Sequence, residues 1–315
     1  MTTTIQQRMG PREWLVFGVL SIVWGGSFFF IEISLRSFPP LTLVLLRATL
    51  SSAALLVVLR ITGRRLPTSL SLWLAFLGLG ALNIAIPFVL VAWGQTHIPI
   101  GLASILNATT PLWGVVVAHA FTADEKATPG KIIGVLSGIA GVAIMMGADA
   151  LAGLGGNLLA QLACVTAALS YALAGVYGRR FKAMGVAPVE VAAGQLIAAA
   201  ALMLPLAVIF DAPWRLPAPL FQSIAAMACL ALISTAFAYI LYFRLIEKAG
   251  ATNALLVTFV IPIPAIMLGT FLLGETLEPK HYAGMALIGL GLAAIDGRPF
   301  GWLSRGRASR AAPQG

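Results

Sequence analysis

The sequence predicts an all-α membrane protein of ten transmembrane helices, built as two five-helix inverted repeats around a central cavity, with both termini cytoplasmic. Three observations predict it. The first is composition. Of 315 residues, 59% are hydrophobic and 10% are charged, with mean hydropathy +0.95. Soluble chains carry about 45–50% apolar and about 25% charged residues, and so few charges cannot cover a water-facing surface. The second is a series of ten apolar runs, each near the roughly 20 residues that a helix needs to cross a bilayer. The third is a duplication that relates the two halves of the chain.

The runs are delimited by Gly, Pro and charged residues. Span 1 (13–35) closes at Arg36, and span 2 (40–62) opens on Pro39-Pro40 and closes at Gly63-Arg64-Arg65. Span 3 (71–93) follows Pro67, span 4 (99–121) opens on Pro99, and span 5 (130–149) follows Pro129. Span 6 (156–178) closes at Arg179-Arg180, and span 7 (187–209) opens around Pro188. Span 8 (218–243) lies between Pro217 and Arg244, span 9 (252–273) ends before Gly274-Glu275, and span 10 (280–297) follows Pro279. Barrel strands would alternate apolar and polar residues over about 10 positions, whereas these runs are longer and continuous. The first run is too long for a signal-peptide core and lacks a small-residue cleavage site, so it is read as a span.

Lys and Arg set the orientation. One side collects sixteen: Arg8, Arg12, Arg60, Arg64, Arg65, Lys126, Lys131, Arg179, Arg180, Lys182, Arg244, Lys248, Arg298, Arg305, Arg307 and Arg310. The other side holds three, Arg36, Arg215 and Lys280, and Arg47 lies inside span 2. This asymmetry places both termini in the cytoplasm. It also explains the net charge of +9 without a nucleic-acid partner. The segment 298–315 reads as a basic cytoplasmic tail that can touch anionic lipid. Cys164 and Cys229 lie within spans and read as small packing residues rather than a disulfide or metal pair. His97, His119 and His281 are scattered near span ends without metal-ligand spacing.

The duplication is legible residue by residue. Glu125-x3-Pro129-x4-Gly134-x6-Gly141 reappears as Glu275-x3-Pro279-x4-Gly284-x6-Gly291. Pro111 precedes the first copy and Pro262 the second. Asn107 falls opposite Thr258, Pro40 and Arg47 opposite Pro188 and Gln195, and Trp24 opposite Tyr171. The halves are 1–149 and 150–297. Five spans each is an odd number, so the second half enters the membrane from the opposite side. Inverted repeats of this kind are the usual architecture of secondary transporters, with the site near the midplane between the halves.

These residues carry a family resemblance. Trp24-Gly25-Gly26-Ser27, Arg47, Pro111 and the two Gly-rich segments opened by Glu125 and Glu275 resemble the ten-span EamA type of the drug/metabolite transporter superfamily. The likeness spans nearly the whole chain. Gly274-Glu275 fits the family well, while Asp124-Glu125 stands where Gly-Glu is usual and Glu32 where many relatives carry a basic residue. The resemblance implies export of small metabolites across the bacterial inner membrane. The chain is also similar to amino-acid exporters of the YddG type.

Polar and aromatic residues in mid-span either pack against a neighbouring helix or face a cavity. The substrate-binding candidates are Trp24, Ser27, Asn83, Asn107, Thr110, Trp113, Tyr171, Ser234, Thr235, Tyr239 and Thr258. They fall on spans 1, 3, 4, 6, 8 and 9, which are expected to surround a cavity with spans 5 and 10 behind. An aromatic and amide lining suits an amphipathic solute with an apolar side chain. Pro111 and Pro262 are candidate hinges for alternating access, or else static kinks. The Gly130, Gly134, Gly138 stripe is expected to pack span 5 against span 10, with dimerisation as the alternative. Arg47 is expected to snorkel outward toward Glu32 and to serve folding rather than selectivity. No carboxylate sits at a span midpoint, which favours facilitated diffusion over a buried proton relay.

The expected partners are a small-molecule substrate and the lipid bilayer, with no nucleic acid, no cofactor and no metal, and the chain is read as a monomer. The expected function is a secondary transporter exporting amino acids and similar metabolites. The alternatives are a multidrug or other metabolite efflux carrier on the same fold, and a membrane-embedded enzyme. An enzyme would need a nucleophile or an acid/base pair in the membrane, and the spans offer neither.

Overall fold

The computed structural model describes residues 10–122, 128–146, 156–249 and 257–296. Every apolar run carries helix there, and no strand occurs among the described residues. The helices are α1 (Pro11–Leu35), α2 (Pro40–Ile61), α3 (Leu70–Gln95), α4 (Ile100–Phe121) and α5 (Pro129–Met146). They continue with α6 (Gly156–Ala183), α7 (Pro188–Asp211), α8 (Phe221–Phe237 continuing as Ala238–Ala249), α9 (Val257–Val260 with Pro262–Leu273) and α10 (Pro279–Asp296). Seven of them, α1 to α4 and α6 to α8, are long and apolar enough to cross a membrane, and α5 and α9 hold shorter apolar helices. The expected tail 298–315 and the segment around Glu125 lie outside the described residues.

Proline opens α1, α2, α5, α7 and α10, where its missing N–H is one the helix would leave unpaired anyway. α6 runs past its expected end at 178 to Ala183, so Arg179, Arg180 and Lys182 sit on its last turns. Outward faces are apolar. Ile22, Val57, Leu74, Ile133, Ile209, Phe271 and Leu290 are all exposed. In water such a surface would aggregate, and in lipid it is the solvated face.

Between helices the packing relies on small residues, as membrane interfaces do. α5 lies along α10: a Cβ at Gly141 would stand 2.6 Å from the Gly284 carbonyl oxygen, and one at Gly291 would meet the Gly134 carbonyl. Gly138 instead faces Leu112 of α4. The contacts recur in pairs. α3 packs on α6 and α8 on α1; α4 packs on α6 and α9 on α1; α3 packs on α7 and α8 on α2. α2 also packs on α7, as α5 does on α10.

Four helices are interrupted at matching places in the two halves. α3 has a π-turn at Ala81–Ala85, just before Pro87, and α8 has one at Leu232–Phe237 with no proline. α4 breaks between Asn107 and Thr110, before Pro111, and α9 breaks at Ile261, before Pro262. π-turns insert an extra residue into the helical ladder and are frequent at functional sites. Broken backbone at membrane depth is tolerated where it is buried in protein or lines a cavity. Here the π-turns carry Asn83, Ser234 and Thr235, the break in α4 is flanked by Asn107 and Thr110, and the break in α9 falls at Ile261.

Candidate functional site

These interruptions converge on one cavity of roughly 380 Å³. The six helices expected around it, α1, α3, α4, α6, α8 and α9, all contribute, and so do α2 through Arg47 and α7 through Val191 and Gln195. Ten of the eleven candidate residues line the wall: Trp24, Ser27, Asn83, Asn107, Thr110, Tyr171, Ser234, Thr235, Tyr239 and Thr258.

Trp113 does not. It is half-buried on α4 beyond the break at Ala108–Thr109. Thr110, one turn earlier on the same helical segment, is the last α4 residue on the wall, so the cavity ends before it reaches Trp113.

Arg47 is the second correction. It is 6% exposed, faces the cavity and does not snorkel. Its Nε donates to Thr235 Oγ1 at 2.9 Å, and its guanidinium carbon lies 3.6 Å from the centre of the Phe88 ring. Glu32 is not its partner; that carboxyl lies beside Gln95, Glu275 and Arg36.

The wall has an aromatic part and a polar part. Trp24 packs on Tyr242 with ring centres 5.2 Å apart, and Tyr239 stacks on Phe243 at 5.9 Å. Phe28 and Phe88 add further apolar surface. On the polar side, Asn83 Nδ2 donates to Gln195 Oε1 at 2.9 Å and to the Tyr239 hydroxyl at 3.3 Å. Thr235 Oγ1 also donates to the Leu230 carbonyl at 2.8 Å, which closes the π-turn of α8. Ser27 and Thr110 donate to carbonyls of their own helices, those of Trp24 and Asn107. Their hydroxyl protons are therefore committed, as is usual for Ser and Thr in membrane helices. Asn107 Oδ1 and Ser234 Oγ are buried and find no hydrogen-bond partner in the structure.

Gln195, Tyr242 and Phe88 also line the wall without being among the sequence candidates, and Arg47 joins them from its expected surface position. Arg47 and Gln195 occupy corresponding positions in the two repeats, and both reach the cavity. Gly25 fixes the approach of α1 to α9: a Cβ there would stand 2.7 Å from the Ile261 carbonyl oxygen. The Trp24-Gly25-Gly26-Ser27 motif thus seats α1 against the break in α9.

Among the described residues, no three His, Cys, Asp or Glu side chains are grouped to hold a metal. Cys164 and Cys229 are both free. What the wall offers is aromatic surface, amides, hydroxyls and one guanidinium, a set that binds a solute.

A multi-pass membrane protein whose interrupted helices converge on a solute-sized cavity has the construction of a transporter. The model of the EamA-like transporter family matches residues 12–147 and again 158–295. The chain belongs to that family, and the two matches are its two repeats. The uncharacterized inner membrane transporter YedA of Escherichia coli (strain K12) is 30% identical over 271 residues, covering 85% of each chain. The uncharacterized transporter YoaV of Bacillus subtilis (strain 168) is 24% identical over 291 residues, covering 88% of this chain and 95% of its own. A protein of Streptantibioticus cattleyicolor named "Probable terminal-alkyne amino-acid exporter" is 27% identical over 286 residues, covering 90% and 93%. A solved crystal structure matches with a TM-score of 0.63 at 21% identity, covering 91% of this chain and 96% of that one, and so shares the fold.

Proposed function

We propose that the protein is a secondary transporter that exports neutral, aromatic or otherwise apolar amino acids and similar small metabolites across the bacterial inner membrane by alternating access. The observation that carries this reading is the central cavity, aromatic on one part of its wall and hydrogen-bonding on the other. Its volume of roughly 380 Å³ falls in the range of about 300–1,000 Å³ typical of small-molecule sites. The name of the Streptantibioticus relative supports the solute class.

The same proposal takes the chain as ten spans in two inverted five-helix halves, 1–149 and 150–297, with both termini and the tail 298–315 in the cytoplasm. The distribution of Lys and Arg supports the orientation. The paired contacts, such as α3 on α6 with α8 on α1, support the symmetry. In this topology two buried or half-buried ties between the halves lie at the outer end, while Arg64 and Glu190 pair across the halves at the inner end, at 3.6 Å. Thr42 donates from its N–H and hydroxyl to Asp211 Oδ2, at 2.7 and 2.8 Å, and Ile100 N–H donates to Glu275 Oε1 at 2.7 Å. The cavity wall reaches toward the opposite end, to Gly178 and Val191.

A second reading, multidrug efflux, draws on the aromatic wall of Trp24, Phe88 and Tyr242. Uptake into proteoliposomes separates the two. A panel of neutral, aromatic and charged amino acids with cationic dyes should give saturable uptake of apolar amino acids and none of dyes. Saturable dye uptake without amino-acid uptake reverses the assignment.

A further inference from the structure

We propose that Arg47 is the docking point for the carboxylate of the transported solute and that Asn107 Oδ1 receives its ammonium group, which makes the preferred cargo a zwitterion. The proposal rests on the exporter reading and narrows it.

The first support is an unbalanced charge. Arg47 is buried, and among the described residues no carboxylate lies within ion-pair distance of it. The described ion pairs, Arg64–Glu190 and Lys280–Glu278, lie elsewhere. A cation buried in a membrane protein is costly unless a counter-charge meets it. The geometry leaves that role to whatever enters the cavity.

The second support is orientation. Arg47 is held on two sides, by Thr235 Oγ1 at Nε and by the face of Phe88. Both contacts leave the terminal nitrogens without a protein acceptor. A guanidinium has five N–H donors in a planar fork, and its edge matches the two oxygens of a carboxylate. An arginine placed only to stabilise the fold would be expected to spend those donors on carbonyls.

The third support is complementary. Asn107 Oδ1 is buried on the same wall and has no donor. A carbonyl oxygen can only accept, and an ammonium group brings three N–H donors. Ser234 Oγ, also unpartnered, adjoins Thr235 and can donate to a carboxylate or accept from the ammonium. The aromatic wall is then left for the apolar side chain. Dyes and simple amines, which bring a second positive charge beside Arg47, are disfavoured.

The test uses the wild-type protein in proteoliposomes, so it does not depend on a variant folding. The amino acid carried best in the panel competes against its amide, its decarboxylated amine and its deaminated acid. The amide and the amine are expected to compete at least tenfold more weakly, because each lacks the anion, and the deaminated acid is expected to lose less. Arg47→Lys should weaken the amino acid at least tenfold and leave the amine unchanged. An amine that competes as well as its parent amino acid overturns the docking and leaves the exporter reading standing. If no amino acid is carried at all, the exporter reading falls and the docking with it.

Discussion

The Nε of Arg47, on α2, donates to Thr235 Oγ1, on α8, at 2.9 Å. A residue of the first repeat therefore meets one of the second on the wall of the cavity. Thr235 in turn donates to the Leu230 carbonyl, so a single hydroxyl both closes a π-turn and steers a buried cation.

Thr235→Val keeps the side-chain shape and removes both bonds. Leaving a buried charged donor unpaired costs about 1–3 kcal/mol or more. The variant should lose thermal stability in detergent by that order, and Thr235→Ser should recover most of it. Thermal denaturation of the two variants beside the wild type checks this.

Glu275 caps α4. Its carboxylate accepts from Ile100 N–H at 2.7 Å and Gly101 N–H at 3.3 Å, across the boundary between the halves. Gly274, at φ +69°, turns the chain so that the carboxylate can reach. A cap of this kind contributes about 0.5–2 kcal/mol, and a negative charge at a helix N-terminus adds to it. Glu275→Ala should lower stability by about that much, and Glu275→Gln, which keeps one acceptor, by less. Equal losses in the two variants would show that the charge rather than the cap is what counts.

Much of this was legible in the sequence. Composition and apolar runs place most of the described helix ends to within a few residues, because in lipid the span is set by length and hydropathy. The exceptions are α6 and α8, whose last turns carry Arg179, Arg180 and Lys182, and Arg244 and Lys248, past the apolar runs. Ten of the wall residues follow from looking for polar or aromatic groups where a span can least tolerate them. What could not be read is rotation. Trp113 is as central and as large as Trp24, yet the cavity ends at Thr110, one turn before it on the same helix. The π-turn of α8 has no proline to announce it, and it is what points Ser234 and Thr235 into the cavity. The distance of Arg47 from the span end permits snorkelling, so sequence alone places it at the surface. Sequence spacing does not show that Thr235 and Phe88 are waiting on the inner side.

The seam between α5 and α10 is backbone against backbone. A side chain at Gly141 would be forced against the Gly284 carbonyl and the Ile288 amide nitrogen, neither of which can swing away. Gly141→Leu should cost about 1–3 kcal/mol or more and reduce the yield of folded protein. Since this seam lies behind the cavity, the surviving fraction should bind solute with unchanged affinity, measurable by competition in proteoliposomes.

Pro111 and Pro262 follow the breaks in α4 and α9. As hinges they would permit the halves to rock. Pro111→Ala and Pro262→Ala, which restore a backbone donor, should slow exchange several-fold with little effect on equilibrium affinity. Unchanged rates would make both prolines static kinks.

The central claim is that one cavity serves both faces of the membrane in turn. Counterflow tests it most directly: proteoliposomes preloaded with unlabelled apolar amino acid are given labelled amino acid outside, and transient accumulation is followed. Alternating access predicts saturable uptake that is accelerated by solute on the far side. Uptake that rises linearly with concentration and ignores the internal load would contradict it.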